Sequence, residues 1–262
     1  MGTALVTGAS AGLGLEFAWQ LATAKHDVVL VARDEERLTR LAGQLEAAAG
    51  VRAEVLPADL TDRADVERVA DRLRADEHPV GLLVNNAGLG LNQHFLDGDL
   101  AAEERALDLM VRTVMVLSHA AAGAMVARGR GAVLNVGSVA GLIASGTYSA
   151  HKAWVRVFTE ALAVELKGTG VTATVVAPGF THTEFHERGR IDTRHYPDVA
   201  WLDAEDVVAA ALADVRRGVV LSTPSLRYKA ASALLRVAPR SAVRAFGGYR
   251  KALLDEALDA QP

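Results

Sequence analysis

Short, almost purely apolar runs alternate along this chain with longer stretches in which apolar residues return every third or fourth position. The runs cover residues 4–7, 28–32, 53–56, 82–84, 132–136, 171–176 and 219–222. They are built from Val, Leu and Ala with little polar alternation, which suits strands covered on both faces, as in a parallel sheet. The stretches between them, 13–24, 35–49, 65–75, 103–128, 148–167 and 205–216, predict helices. Asp34 and Asp62 stand where N-caps are needed, and the run Asp203-Ala204-Glu205-Asp206 offers a third capped start. Gly168 and Gly170 end the helix after Lys167. Strand and helix in alternation over this length predict an α/β fold, doubly wound by right-handed crossovers. No linker or repeat divides the first 224 residues, so 1–224 is read as one domain and 225–262 as a helical extension. The stretch 180–202 is long, polar and rich in His without either period, the mark of a binding loop or lid.

Composition narrows the picture. Of 262 residues, 50% are hydrophobic but only 5% aromatic, so the core must come from Ala, Val and Leu. Cysteine is absent, which excludes a disulfide framework, thiolate catalysis, Fe–S clusters and Cys-ligated zinc. A net charge of −4 gives no reason to expect nucleic acid as a partner. Nowhere do 18 apolar residues follow one another, so no membrane span is expected. No basic leader precedes the first apolar run, and the cytoplasm is the expected compartment. The charge is unevenly spread. Between Asp214 and Asp255 there are nine basic residues and no acidic one, leaving 19 basic against 32 acidic elsewhere.

Four motifs carry candidate chemistry. Thr7-Gly8-Ala9-Ser10-Ala11-Gly12-Leu13-Gly14 lies between the first strand and the first helix. Glycines there allow a tight turn and a close approach of backbone to phosphate, and the helix start offers N–H groups to an anion. The spacing G-x-x-x-G-x-G differs from the usual dinucleotide fingerprint, and a purely structural turn is the competing reading. The second strand closes on Ala32, with Arg33 next. An acidic side chain at this position binds a ribose 2′-hydroxyl, whereas an Arg accommodates a 2′-phosphate. Arg33 therefore favours NADP(H) over NAD(H), unless it is a solvated residue paired with Glu36, and Asp34 beside it keeps NAD(H) open. Asn85-Asn86-Ala87-Gly88 follows the fourth strand, where Asn side chains can bind backbone and Gly88 permits close ligand approach. Finally, Tyr148 and Lys152 share one helix face at i and i+4. A nearby ammonium lowers a phenol's pKa towards neutrality. Ser138, after the strand 132–136, sits at the carboxyl edge where open α/β sheets bind ligands. Each residue also has a bland reading, as a solvated pair or a turn serine.

Taken in order, these motifs resemble the short-chain dehydrogenase/reductase family from Thr3 to about Val220. The match continues through Asp59-Leu60 after the third strand and Pro178-Gly179 followed by Thr181 and Thr183. The resemblance implies a Rossmann fold with a seven-stranded parallel sheet in the order 3-2-1-4-5-6-7, and hydride transfer between a nicotinamide and a carbonyl or alcohol carbon. It implies that Tyr148 is the general acid/base, that Lys152 lowers its pKa and binds the nicotinamide ribose, and that Ser138 polarises the substrate oxygen. Thr7, Gly8, Ser10, Gly12, Leu13, Gly14, Arg33, Asp59, Leu60, Asn86, Ala87, Gly88, Pro178, Gly179, Thr181 and Thr183 would line the cofactor. It also implies a homodimer or homotetramer built on the helices 103–128 and 148–167. Two positions depart from the pattern. Met110 stands where the family has an Asn that supports a proton-relay water, and Met cannot replace that hydrogen bond. The interval from Ser138 to Tyr148 is about three residues shorter than in many relatives.

Substrate contacts are expected from Leu89, Leu91, His94, Leu142, Phe180, Phe185, His186 and Tyr196, a mostly apolar set that suits a lipophilic ketone, aldehyde or acyl-chain carbonyl. His182, His186 and His195 are too irregularly spaced for a metal site, and none is expected. His151 is expected on the outer helix face. The basic segment from Ser225 suits an anionic membrane surface, an acidic carrier protein or the acidic body of the same chain. The alternative to an enzyme is a dinucleotide-binding regulatory protein with impaired catalysis, which Met110 would favour.

Overall fold

The computed structural model describes residues 2–185 and 197–245. The seven apolar runs become seven strands: β1 (Thr3–Thr7), β2 (Asp27–Ala32), β3 (Ala53–Pro57), β4 (Val80–Asn85), β5 (Gly131–Val136), β6 (Val171–Val176) and β7 (Leu221–Ser222). They form one parallel sheet in the order β3-β2-β1-β4-β5-β6-β7. Strand order reverses between β1 and β4, and a crevice opens at such a switch point beyond the carboxyl ends of the strands. The last strand is two residues shorter than its apolar run. Val220 and Val219 still accept hydrogen bonds, from Val175 N at 2.8 Å and Thr174 Oγ1 at 2.8 Å.

Two cores flank the sheet. On one face α1 (Gly12–Thr23), α2 (Glu35–Ala49) and α7 (Ala204–Arg216) bury Phe17, Leu38, Leu45 and Val208. On the other, α3 (Arg63–Arg74), α5 (Thr113–Ala127) and α6 (Gly146–Glu165) bury Val69, Leu117, Met125 and Leu166. Asp34 accepts from Arg37 N, and Asp62 from Ala64 N and Asp65 N, so both act as the caps expected of them. Asp203 stands at the N-cap of α7 but makes no side-chain cap.

The long helix expected over 103–128 begins earlier and is interrupted. Asp99 caps Ala101 N at 2.9 Å and starts α4 (Leu100–Leu107). A π-turn over Asp108–Arg112 follows, and α5 continues from it. By length and composition, residues 100–127 could cross a membrane, but half of that helix's most apolar window is buried in the fold. Helix α8 (Leu226–Val237) packs on a 3-10 turn at Val139–Leu142, and residues 240–245 are again helical.

A buried polar chain crosses the sheet below the crevice. Asn85 Nδ2 donates to Asn135 Oδ1 at 2.9 Å and Ser118 Oγ at 3.1 Å, and Asn135 Nδ2 donates to Thr159 Oγ1 at 2.9 Å. These bonds tie β4 and β5 to α5 and α6. Satisfied buried polar groups of this kind fix a geometry that apolar packing would leave looser.

Candidate active site

The glycine-rich turn needs its glycines. Gly8 and Gly12 hold φ of +67° and +54°, and a Cβ on Gly14 would overlap the Gly8 carbonyl oxygen. Helix α1 has Ala11 at its N-cap position, with no side-chain cap and no acidic residue in its first turn. Its first N–H groups are therefore left for an anion. Gly8, Ser10, Ala11, Gly12 and Leu13 line a cavity of about 1510 Å³ along the carboxyl edge of the sheet. Thr7 and Gly14 do not line it. Thr7 is buried behind the turn, where its hydroxyl accepts from Asn86 N at 2.9 Å and Ala87 N at 3.0 Å and donates to Val84 O at 3.3 Å. Asn86 Nδ2 answers by donating to Thr7 O at 2.9 Å. These two expected contacts therefore shape the turn from behind.

At one end the cavity is walled by Ala32, Arg33, Asp34, Arg37, Asp59, Leu60 and Thr61. Asp34 is committed to α2, capping Arg37 N at 3.0 Å and pairing with Arg37 Nε at 3.2 Å. Glu36 pairs with Arg40 at 3.4 Å, not with Arg33. Arg37 escaped the sequence reading, although Arg33-x-x-x-Arg37 places it one helical turn beyond the strand end. Asp59 Oδ1 accepts from Thr61 N and Oγ1 at 3.0 and 2.8 Å. Asp59 N donates to Asp65 Oδ2 at 2.7 Å, which holds the Asp65 carboxyl below its usual pKa.

Beyond Asn86, Ala87 and Gly88, the cavity brings together Ser138, Tyr148 and Lys152. Ser138 caps the 3-10 turn, its Oγ accepting from Ala140 N at 3.1 Å, so the hydroxyl hydrogen remains to be donated. Tyr148 lies in the first turn of α6 because that helix begins two residues earlier than its pattern suggests. Lys152 Nζ donates to Val136 O at 2.7 Å and lies 5.7 Å from the centroid of the Tyr148 ring. Burial pulls the Lys152 ammonium down to about 8. Met110 is buried in the π-turn. Its Sδ and Lys152 Nζ each lie 3.8 Å from where a Cβ on Gly88 would stand.

His151 is not on an outer face. It is buried where α4 packs on α6, and desolvation lowers its pKa against the opposing effect of Glu103. Glu103, another residue the pattern did not single out, lines the cavity. It accepts from Thr147 Oγ1 at 2.6 Å and Gln93 Nε2 at 2.9 Å.

Pro178, Gly179, Thr181 and Thr183 line the cavity, as do Leu89, Leu91, His94, Phe180 and Phe185. The Phe185 ring is 5.8 Å from that of Tyr148. Leu142 is a correction. It ends the 3-10 turn facing inward, and Val139, Ala140, Ile143 and Ala144 make the wall instead. Tyr196, His186 and His195 fall outside the described residues. His182 stacks on Trp201 at 4.8 Å, and no cluster suited to a metal occurs among the described residues. Helix α8 also reaches the cavity through Tyr228, Ala231, Ser232 and Leu235, and Arg244 follows. The Tyr228 hydroxyl accepts from Phe180 N at 3.2 Å and donates to Ala200 O at 2.6 Å.

Comparison with known proteins gives the same fold. The family model for short chain dehydrogenases matches residues 2–193. Sulfoacetaldehyde reductase 2 of Chromohalobacter salexigens is 39% identical over 214 residues, 78% of this chain and 84% of that protein. A short-chain dehydrogenase from Sphingobium yanoikuyae, solved with NADPH, superposes with a TM-score of 0.81 at 34% identity, over 100% of this chain and 98% of that one. A relative from Burkholderia phymatum, solved with NAD, gives 0.78 at 25% identity over 89% and 92%.

Proposed function

The chain belongs to the short-chain dehydrogenase/reductase family and is an oxidoreductase for a nicotinamide dinucleotide, and we propose that it interconverts a lipophilic ketone or aldehyde and its alcohol with NADP(H). One observation carries this reading: Ser138, Tyr148 and Lys152 meet on the wall of a cavity whose far end presents Arg33 and Arg37.

The dinucleotide, when bound, supplies the hydride in reduction and receives it in oxidation. The cradle fits such a ligand: the uncapped start of α1 would hold its pyrophosphate, and Asn86, Ala87, Gly88, Pro178, Gly179, Thr181 and Thr183 its nicotinamide half. Arg33 and Arg37 would face a 2′-phosphate, while Ala32 offers no carboxylate to a 2′-hydroxyl and Asp34 is spent as a cap. At the reacting centre Ser138 donates its remaining hydrogen to the carbonyl oxygen. Tyr148 then gives that oxygen a proton, or takes one in the reverse direction. The Lys152 ammonium favours the phenolate and so brings Tyr148 nearer the working pH. Met110 offers no strong acceptor to a relay water. A backbone carbonyl in the widened π-turn is left to serve instead.

Leu89, Leu91, Ile143, Phe180 and Phe185 support a lipophilic substrate. A second reading, a small anionic aldehyde, has the support of Arg244 on the cavity wall and of the sulfoacetaldehyde reductase among the relatives. Exposed Met115 on α5 and Val157 and Val164 on α6 support a homodimer or homotetramer. The relatives are named as reductases and dehydrogenases, which favours an enzyme over a regulatory dinucleotide-binding protein.

The test is a titration with NADPH and NADH, then a panel of lipophilic and anionic carbonyls under the tighter cofactor. The expected result is NADPH-dependent turnover that Tyr148→Phe abolishes. Tight binding without turnover, restored by Met110→Asn, would instead point to a lost proton relay and return the regulatory reading.

A further inference from the structure

Helix α8 has two unlike faces. Tyr228, Ala231, Ser232 and Leu235 face the body and line the cavity. At 3.6 residues per turn, the opposite face is formed by Leu226, Ala230, Ala233 and Val237, with Leu234 beside them. Leu226, Leu234 and Val237 are 82%, 68% and 79% exposed. Arg227 borders this apolar strip on one side, and Lys229 and Arg236 border it on the other. Arg240 opens the next helical stretch, beyond the break at Ala238 and Pro239, and the sequence from 215 to 254 holds no acidic residue. Lys229 feels Asp214 on the body, and Arg227 donates to Trp201 O at 2.9 Å. Among the described residues Arg236 and Arg240 make no ion pair.

A strip of large aliphatic side chains open to water is a surface awaiting a partner. Cations alone would suit an acidic protein, but that partner leaves the strip between them without a role. An apolar strip edged by Arg and Lys is the pattern of a helix lying in a lipid interface. We propose that α8 seats this protein on an anionic phospholipid surface, with Leu226, Leu234 and Val237 in the headgroup–acyl boundary and Lys229, Arg236 and Arg240 against lipid phosphates. The inner face of the same helix lines the cavity, so seating brings the substrate end of the cavity beside the bilayer. A carbonyl compound dissolved in lipid is the substrate class this placement suits. That last step rests on the carbonyl-reductase reading; the seating does not.

The experiment is flotation of the full chain with vesicles of phosphatidylcholine, alone or mixed with phosphatidylglycerol. The protein is expected to float with the anionic vesicles at low salt, to be released by high salt, and to ignore phosphatidylcholine alone. Arg236→Ala lowers the partition coefficient about fivefold, and the double variant Leu234→Ser, Val237→Ser lowers it further. Arg40→Glu on exposed α2 leaves it unchanged. All variants keep wild-type turnover of a water-soluble carbonyl. The proposal falls if the wild-type chain does not float at low salt, or if flotation ignores the α8 substitutions. It falls equally if those substitutions break an oligomer in light scattering without vesicle binding, since the strip is then a contact between copies. Flotation without turnover of any carbonyl would remove only the substrate step.

Discussion

Lys152 holds its ammonium where water does not reach, with the Val136 carbonyl as its acceptor. Its pKa falls from 10.5 to about 8 because burial disfavours the charge. Between those two values the unfolded chain binds the extra proton and the folded chain does not, so stability rises with pH across that window. Below about pH 8 the folded state bears the full cost of the buried charge, about 3 kcal/mol by the size of the shift. Lys152→Met removes that cost. At pH 7 the variant is expected to be about 3 kcal/mol more stable than wild type in urea denaturation, with the gap closing as pH approaches 10.5. It is also expected to lose turnover. A gap that stays constant from pH 7 to 10.5 would show that Lys152 is solvated. Stability given up at one residue and recovered as chemistry is the pattern of a working site.

Between elements, Tyr228 is the link worth breaking. Its ring covers Gly179 so closely that any Cβ there would overlap it, and its hydroxyl bonds Phe180 N and Ala200 O. One side chain of α8 thus ties residue 180 to residue 200. Tyr228→Phe leaves two backbone groups without that partner, at about 1–3 kcal/mol. A melting point lower by roughly 2–4 °C per kcal/mol is expected, with substrate KM raised more than dinucleotide Kd. Equal changes in both constants would place this tie over the dinucleotide instead. No sequence period announces this contact, because it joins residues 48 positions apart. What the period did announce was strand and helix, since burial on two faces or one stripe leaves a direct mark on residue choice. Strand ends were less legible: Val219 and Val220 read as strand, yet only their carbonyls bond to β6, and Val219 N donates back to Asp214 O at 3.0 Å. The π-turn at 108–112 was illegible, because residues 109–117 are nearly all apolar and carry no period whose shift could be read. Leu142 and His151 misled for a related reason. Both are apolar or neutral enough to be buried, and which way they face depends on packing partners that local pattern does not contain. That Ser138, Tyr148 and Lys152 line one cavity was legible, because strand end and helix start set where each one lies.

At the scale of the whole molecule, one continuous cavity runs from the end of β2 to the inner face of α8, and its walls come from both halves of the sheet. A ligand that fills it touches both halves of the sheet at once. Anything bound to the folded state alone raises stability by mass action, about 2.7 kcal/mol at one hundred times Kd. For a chain of this size that is roughly a 5–10 °C rise in melting temperature. NADP+ is therefore expected to raise the melting point more than NAD+ at equal concentration, with no substrate present. Arg33→Ala should cut the NADP+ shift by half or more, since a charge-assisted hydrogen bond is worth about 1.5–3 kcal/mol, and should leave the NAD+ shift as it was. Equal shifts for both dinucleotides, untouched by Arg33→Ala, would mean that Arg33 and Arg37 leave the 2′ position to solvent. Because the shift reads binding without turnover, it separates the cofactor question from the one posed by Met110: a protein with an NADP+ shift and no reaction has kept its dinucleotide cleft and lost only its proton path.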